Sequence, residues 1–305
     1  MTDIERLKKL QVPAGDSIPC VLDTDAYNEI DDQYAIALLV KHERTDLKAI
    51  YACPFFNENS SSPEDGMEKS YGEILNLLTL MGREDMKKNV FRGSRGYLPD
   101  EKTPVQSGAA RHLCDIAMQF TPENPLYVVS IGCITNVASA LLMRPEIADR
   151  IVVVWLGGHS YSWPDTNEFN MKQDVAAARV VFDSGCPLVQ LPCMGVVSAF
   201  YTTGPELEYW LKGKNPLCDY LVSHTAGTAE KYAKGKVWSR VIWDVTAAGW
   251  LLGERFMRSE IVHAPIPGYD NRYSFDGGRH LMLCVTHINR DALMGELFRV
   301  LAPTS

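Results

Sequence analysis

The chain has 305 residues, 46% of them hydrophobic and 22% charged, which is enough apolar material for one large α/β core and within the size of a single domain. A formal charge of −8 and an isoelectric point of about 5.4 exclude a surface built to neutralise nucleic-acid phosphates or anionic lipid, so a small polar substrate is the easier reading. No segment approaches the roughly 18 consecutive apolar residues of a membrane span and the first residues lack a signal peptide's apolar stretch, so a cytoplasmic location without a membrane partner is expected.

In chain order, apolar runs at 19–23, 47–53, 126–131, 151–156 and 187–191 read as strands. Several lack polar alternation, the pattern of parallel strands covered on both faces. Helical stretches at 31–42, 66–81, 107–120, 135–142 and 174–184 lie between them. This alternation predicts a doubly wound, mostly parallel α/β sheet flanked by helices. Beyond about residue 200 the pattern turns helical, with two helices within 204–235 and another over 245–257, beginning beside Trp243 and Asp244. There is no long linker or repeat, so residues 1–305 read as one domain with a helical C-terminal portion. The eight cysteines are scattered among apolar neighbours without a CxxC pair and read as reduced core residues.

Ligands of open parallel sheets bind beyond the carboxyl ends of the strands. The polar residues at those ends are Asp23 and Asp25 after the first strand, Thr135 and Asn136 after the 126–131 strand, and Gly157, Gly158 and His159 after the 151–156 strand. The other six histidines form no ligand-spaced pair. Between strand and helix, VLDTDAYNEIDDQYAIALL places five carboxylates within ten residues: Asp23, Asp25, Glu29, Asp31 and Asp32. Helix capping accounts for one or two of them. Several carboxylates at the end of a buried strand repel each other unless a cation sits among them. All-oxygen ligands suit Ca²⁺ or Mg²⁺, and the lack of nearby His or Cys argues against zinc. An EF-hand starting at Asp23 fails, because Asn28 and Tyr34 stand where it needs glycine and glutamate. A haloacid dehalogenase-type phosphatase, whose first strand also ends in Asp-x-Asp, is a rival, but Tyr27 departs from its pattern and the Asp31-Asp32 pair has no role there.

The acidic segment resembles the N-terminal signature of the nucleoside hydrolase family, in which a strand ending in Asp-x-Asp reaches an Asp-Asp pair a few residues later. GCITNVASAL (132–141) resembles the family's Gly-x-Leu-Thr-Asn segment. NEFNMKQDVAAARVVFDSG (167–185) resembles its Glu-Phe-Asn segment, and Trp243-Asp244 enters a helix as a third piece. The resemblance implies calcium-dependent hydrolysis of the N-glycosidic bond of a ribonucleoside, and a homodimer or homotetramer. It implies that Asp25 binds calcium and acts as general base, that Asp32, Asp244 and the Thr135 main-chain carbonyl complete the metal site, and that Asp31 holds the ribose 2′-hydroxyl. Glu168 and Asn170 resemble residues that hold the rest of the sugar, Asn57 is a weaker match to a sugar-binding asparagine, and Asp23 supports the site from behind.

Two departures stand out. The loop between Asp25 and Asp31 is about two residues longer than the commonest family form, which brings Asn28 or Glu29 within reach of the site. Trp243 stands where pyrimidine-cleaving relatives carry a histidine, and an aromatic residue there suits a purine, stacked on it while solvent protonates the departing base. The bland alternatives are that Trp243 is core packing, that Thr135 and Asn136 cap a helix, and that Glu168 and Asn170 form a turn before a helix capped by Asp174. A non-catalytic calcium-dependent nucleoside or sugar sensor would keep the same metal residues. Loops 57–65, 196–204 and 220–240 flank strand ends and are expected to close over the base.

Overall fold

In the computed structural model, which describes residues 1–303, a short helix α1 (Asp3–Lys9) precedes β1 (Ile18–Thr24), α2 (Asp31–Lys41) and β2 (Thr45–Ala52). Then come α3 (Pro63–Leu80), β3 (Val90–Arg92), α4 (Gly108–Ala117), β4 (Leu126–Ser130), α5 (Thr135–Met143), β5 (Ile151–Leu156), α6 (Phe169–Gln173), α7 (Val175–Asp183) and β6 (Leu188–Leu191). The remainder holds the small ladder β7 (Tyr201–Thr202) with β8 (Arg240–Val241), and helices α8 (Gly204–Leu211), α9 (Pro216–Ala233) and α10 (Val245–Trp250). It continues through β9 (Met257–His263), the hairpin β10 (Ile266–Pro267) with β11 (Tyr273–Ser274), β12 (Leu281–Ile288) and α11 (Arg290–Leu301).

The main sheet has eight strands in the order β3-β2-β1-β4-β5-β6-β12-β9. All neighbours are parallel except β12 and β9. The expected doubly wound, mostly parallel sheet is therefore present, and strand order reverses between β1 and β4. A crevice opens at such a reversal because the two flanking connections leave toward opposite faces. The C-terminal portion carries the expected helices, but the one read over 245–257 stops at Trp250, and the chain turns through Glu254–Phe256 into β9. β9 was not apparent in sequence, because it is an edge strand whose polar residues interrupt any apolar run, with only Met257 buried, while the apolar run Leu281–Val285 of β12 was passed over in a portion read as helical.

Each inner strand has buried side chains on both faces. Leu22, Val129 and Val154 join one core with Tyr34, Ile36 and Trp250. Val21, Val128 and Val153 join the other with Leu113, Val137 and Phe182. Each such aliphatic side chain contributes on the order of 1.5–3 kcal/mol by leaving water. The covering helix α2 is buried over its whole circumference from Asp31 to Val40, and its Tyr34 hydroxyl meets the Thr225 hydroxyl of α9 at 2.8 Å. A helix buried this way takes its first turn inside as well, which is why Asp31 and Asp32 are removed from solvent. Among the described residues no helix is long and apolar enough to cross a membrane. All eight cysteines are buried and unpaired.

Candidate active site

The crevice at the β1/β4 reversal is a cavity of about 600 Å³. Asp25, Asp31 and Asp32 line it from the β1–α2 connection, Asn57 from the loop after β2, Glu168 and Asn170 from the start of α6, and Trp243 and Asp244 from the start of α10. Eight residues singled out in the sequence thus converge on one cleft. Asn28, Glu29 and His159 line it too.

The acidic group is almost solvent-free, with Asp25 and Asp32 1% exposed, Asp31 3% and Asp244 4%. Asp31, Asp32 and Asp244 each offer an oxygen, and these lie within 4.8 Å of one another. Asp32 accepts a hydrogen bond from the Thr24 hydroxyl, and Asp31 accepts one from Arg240 Nη2 at 3.3 Å. Asp25 Oδ2 is buried with no partner at all. Burial first, and then the charges of Asp32 and other neighbours, pushes the Asp25 carboxyl well above the usual range. Burial, Asp31 and Asp32 do the same to Asp244. Asp32 rises to about 7, through burial and then Asp31. Asp25 stands outside that closest trio but lines the same cleft with a buried oxygen that has no donor, an unsatisfied arrangement that a hard divalent cation completes. The residues fit a metal.

The sugar candidates are equally constrained. Glu168 caps α6, and its carboxylate accepts from the N–H groups of Asn170 at 2.8 Å, Met171 at 2.9 Å and Gly158 at 2.9 Å. Asn170 spends both amide hydrogens on the carbonyls of Ile131 (3.1 Å) and Leu156 (3.0 Å), at the ends of β4 and β5. Its Oδ1 is left to accept from a ligand. Glu168 and Asn170 thus stand not in a turn, as the alternative reading had them, but at the capped start of α6, and the same bonds fix the Glu168 side chain in the cleft. Asp174 caps α7 through Ala177 N. Asn57 donates to Asn28 Oδ1 at 2.5 Å, tying the loop after β2 to the lengthened β1–α2 loop. Trp243 is half-buried, packs against the core and also lines the cleft.

Other residues lie behind or apart. Thr135 begins α5 and does not line the cleft, and its hydroxyl donates to Asp174 Oδ2 at 2.6 Å. Asp23 accepts from Asn136 Nδ2 at 2.8 Å and from the Ser130 hydroxyl at 3.3 Å, so it braces β1 against β4, while burial raises its carboxyl to about 7. The 196–204 segment contributes nothing to the cleft, because Val197 and Phe200 anchor it in the core. Nor does 220–240 line it, although Arg240 reaches Asp31 and Glu29. His159 is held by Met194 N, which donates to Nδ1 at 3.2 Å, and burial keeps its imidazole below the ordinary value. Phe56, Phe169, Cys193 and Met194 also line the cleft. Phe169 is the middle residue of the Glu-Phe-Asn segment, but nothing in the sequence marked the other three, since apolar wall residues look like core.

Four buried aspartates in a cleft at the switch point of a parallel sheet make an oxygen-ligand set that suits a hard cation and a small polar substrate. The family model for inosine-uridine preferring nucleoside hydrolases matches residues 20–292, and the chain belongs to that family, whose members hydrolyse N-glycosyl bonds. The chain is 28% identical over 261 residues to the pyrimidine-specific ribonucleoside hydrolase RihA of Salmonella enteritidis, covering 77% of this chain and 80% of that protein. Among solved structures, the purine-preferring ribonucleoside hydrolase from Gardnerella vaginalis superposes with a TM-score of 0.76 at 18% identity, covering 93% of this chain and 98% of the other. An inosine-guanosine nucleoside hydrolase does so with a TM-score of 0.75 at 18% identity, covering 95% and 100%. Family membership sets the phosphatase reading aside.

Proposed function

We propose that the protein is a calcium-dependent, purine-preferring ribonucleoside hydrolase that yields ribose and free base. The observation that carries this reading is the Asp25 carboxylate, buried beside Asp31, Asp32 and Asp244 with one oxygen unpartnered. Asp25, Asp32 and Asp244 would hold the metal, whereas Thr135, expected from the sequence to add its main-chain carbonyl, does not line the cleft and does not join them. When bound, calcium supplies a Lewis-acid centre at which sugar hydroxyls and a water are brought together.

The protein's own groups do the rest. Asp25 takes a proton from the attacking water as its oxygen bonds to C1′. Asp31 accepts the 2′-hydroxyl, and Asn170 Oδ1 and Glu168 accept from the remaining sugar hydroxyls. As the C1′–N bond breaks, positive charge spreads over the sugar ring, and the surrounding carboxylates stabilise that charge more than they stabilise the neutral substrate. The bond's electron pair leaves with the base, which gains a proton from solvent while stacked on Trp243. The purine preference rests on the Trp243 ring at the cleft wall, with Phe56 and Phe169 as further apolar surface. The relatives named above include one called pyrimidine-specific and one called purine-preferring, so the base is a matter for measurement.

The test is release of free base from a panel of purine and pyrimidine ribonucleosides, with calcium added or chelated, in wild type and Asp25→Ala. Calcium-dependent cleavage that vanishes in the variant supports the reading. Calcium and nucleoside binding without cleavage of any panel member would sink it in favour of a sensor.

A further inference from the structure

Arg240 is the only cation that touches the acidic cleft through a side-chain hydrogen bond among the described residues. It belongs to β8, three residues before Trp243 and four before Asp244. Its Nη2 donates both to Asp31 Oδ1, at 3.3 Å, and to the Glu29 carboxylate. The Arg240 side chain is 14% exposed and that of Asp31 4%, whereas that of Glu29 is 46% exposed. The guanidinium therefore lies inside, gripped from the surface by Glu29. For the Asp31 carboxylate this is the sole side-chain hydrogen bond among the described residues. Its other close neighbours, Asp32 and Asp244, are acids that repel it when ionised. A carboxylate with one donor and several repelling neighbours takes its orientation from that donor.

Glu29 lies in the β1–α2 loop, and its partner comes from the segment that also delivers Trp243 and Asp244. The pairs that Arg240 makes with Glu29 and Asp31 thus join the two chain segments that build the acidic cleft.

We propose that Arg240, anchored by Glu29, is the positioning residue that aims Asp31 at the sugar 2′-hydroxyl and thereby sets the discrimination between ribose and 2′-deoxyribose. This rests on the ribonucleoside hydrolase reading above. A buried acceptor aimed at a hydroxyl is left unpaired when the substrate lacks that hydroxyl, whereas an acceptor free to turn away loses less.

The experiment measures kcat and KM for a ribonucleoside and its 2′-deoxy counterpart, together with calcium affinity by calorimetry, in wild type, Arg240→Met, Arg240→Lys and Glu29→Gln. In Arg240→Met the ribose-to-deoxyribose ratio of kcat/KM is expected to fall by about 10-fold or more, through a higher KM for the ribonucleoside. Calcium binding is expected to hold or tighten, since a positive charge beside a cation site has been removed. Arg240→Lys keeps the charge and should restore much of the ratio, and Glu29→Gln should fall between wild type and Arg240→Met. An unchanged ratio, or a uniform loss on both substrates with weaker calcium binding, would overturn the proposal and leave Arg240 as a structural brace. Wild type that cleaves neither nucleoside would instead overturn the functional reading, and this proposal with it.

Discussion

The backbone at Gly132 lies so close to the Asp25 carboxylate that a Cβ there would stand 2.9 Å from Asp25 Oδ1 and 2.4 Å from Cys53 Sγ. The second residue beyond β4 thus presses on the acid after β1, across the strand-order reversal, and allows no side chain between them. Gly132→Ala is expected to push Asp25 off its position and lower kcat by about 10²-fold, since a displacement of this order misaligns an attacking water. Turnover and calcium affinity measured together check this. Wild-type values for both in a folded variant would show that Cys53 absorbs the change.

Asp25→Asn keeps the shape of the side chain and removes its charge and its basicity. Turnover is expected to fall by about 10²- to 10⁴-fold, the usual contribution of a positioned general base. Without metal, the variant should melt higher than wild type at pH 8, because an ionised carboxylate with an unpartnered buried oxygen and acidic neighbours no longer has to be kept there. A lower melting temperature in chelator would show that the ionised acid is better solvated than its burial implies.

The raised carboxyls also give stability a pH dependence of known sign. Asp23 and Asp32 move up to about 7, with Asp25 and Asp244 shifted in the same direction, all chiefly through burial. Between the ordinary carboxylate range near 4 and that higher range the folded state holds more protons than the unfolded chain. This contribution to stability is therefore full at low pH and is lost as pH rises toward 7. A divalent cation binds the deprotonated set and displaces those protons. Calcium should raise the melting temperature more at pH 8 than at pH 5, and unfolding scans at both pH values, with calcium and with chelator, decide it. An equal rise at both would place the metal elsewhere.

Much of this arrangement was legible in the sequence because its signals are local. The strands at 126–130 and 151–156 are uninterrupted apolar runs, and Asp25, Asp31 and Asp32 flank one strand end and one helix start within a short segment, whereas Asp244 was drawn to them only by the family resemblance. What escaped depends on long-range pairing. Asp23 and Asp25 look alike in sequence, yet Asn136, 113 residues from Asp23, claims one and leaves the other free for the cleft. Arg240 meets Asp31 across 209 residues.

Trp243 serves the core and the cleft at once, and its substitution should separate the two roles. Lost packing affects every substrate alike, by loosening the start of α10 that carries Asp244. Lost stacking affects the larger base more, and an aromatic pair contributes about 0.5–1.5 kcal/mol beyond its buried area, or roughly 2- to 10-fold in rate. Trp243→Ala is therefore expected to lower kcat/KM for all nucleosides and to lower the purine-to-pyrimidine ratio by a further 2- to 10-fold, while Trp243→Phe keeps most of that ratio. Purine and pyrimidine turnover falling in equal proportion would assign Trp243 to packing alone and move base selection to Phe56, Phe169 and His159 on the other walls of the cleft.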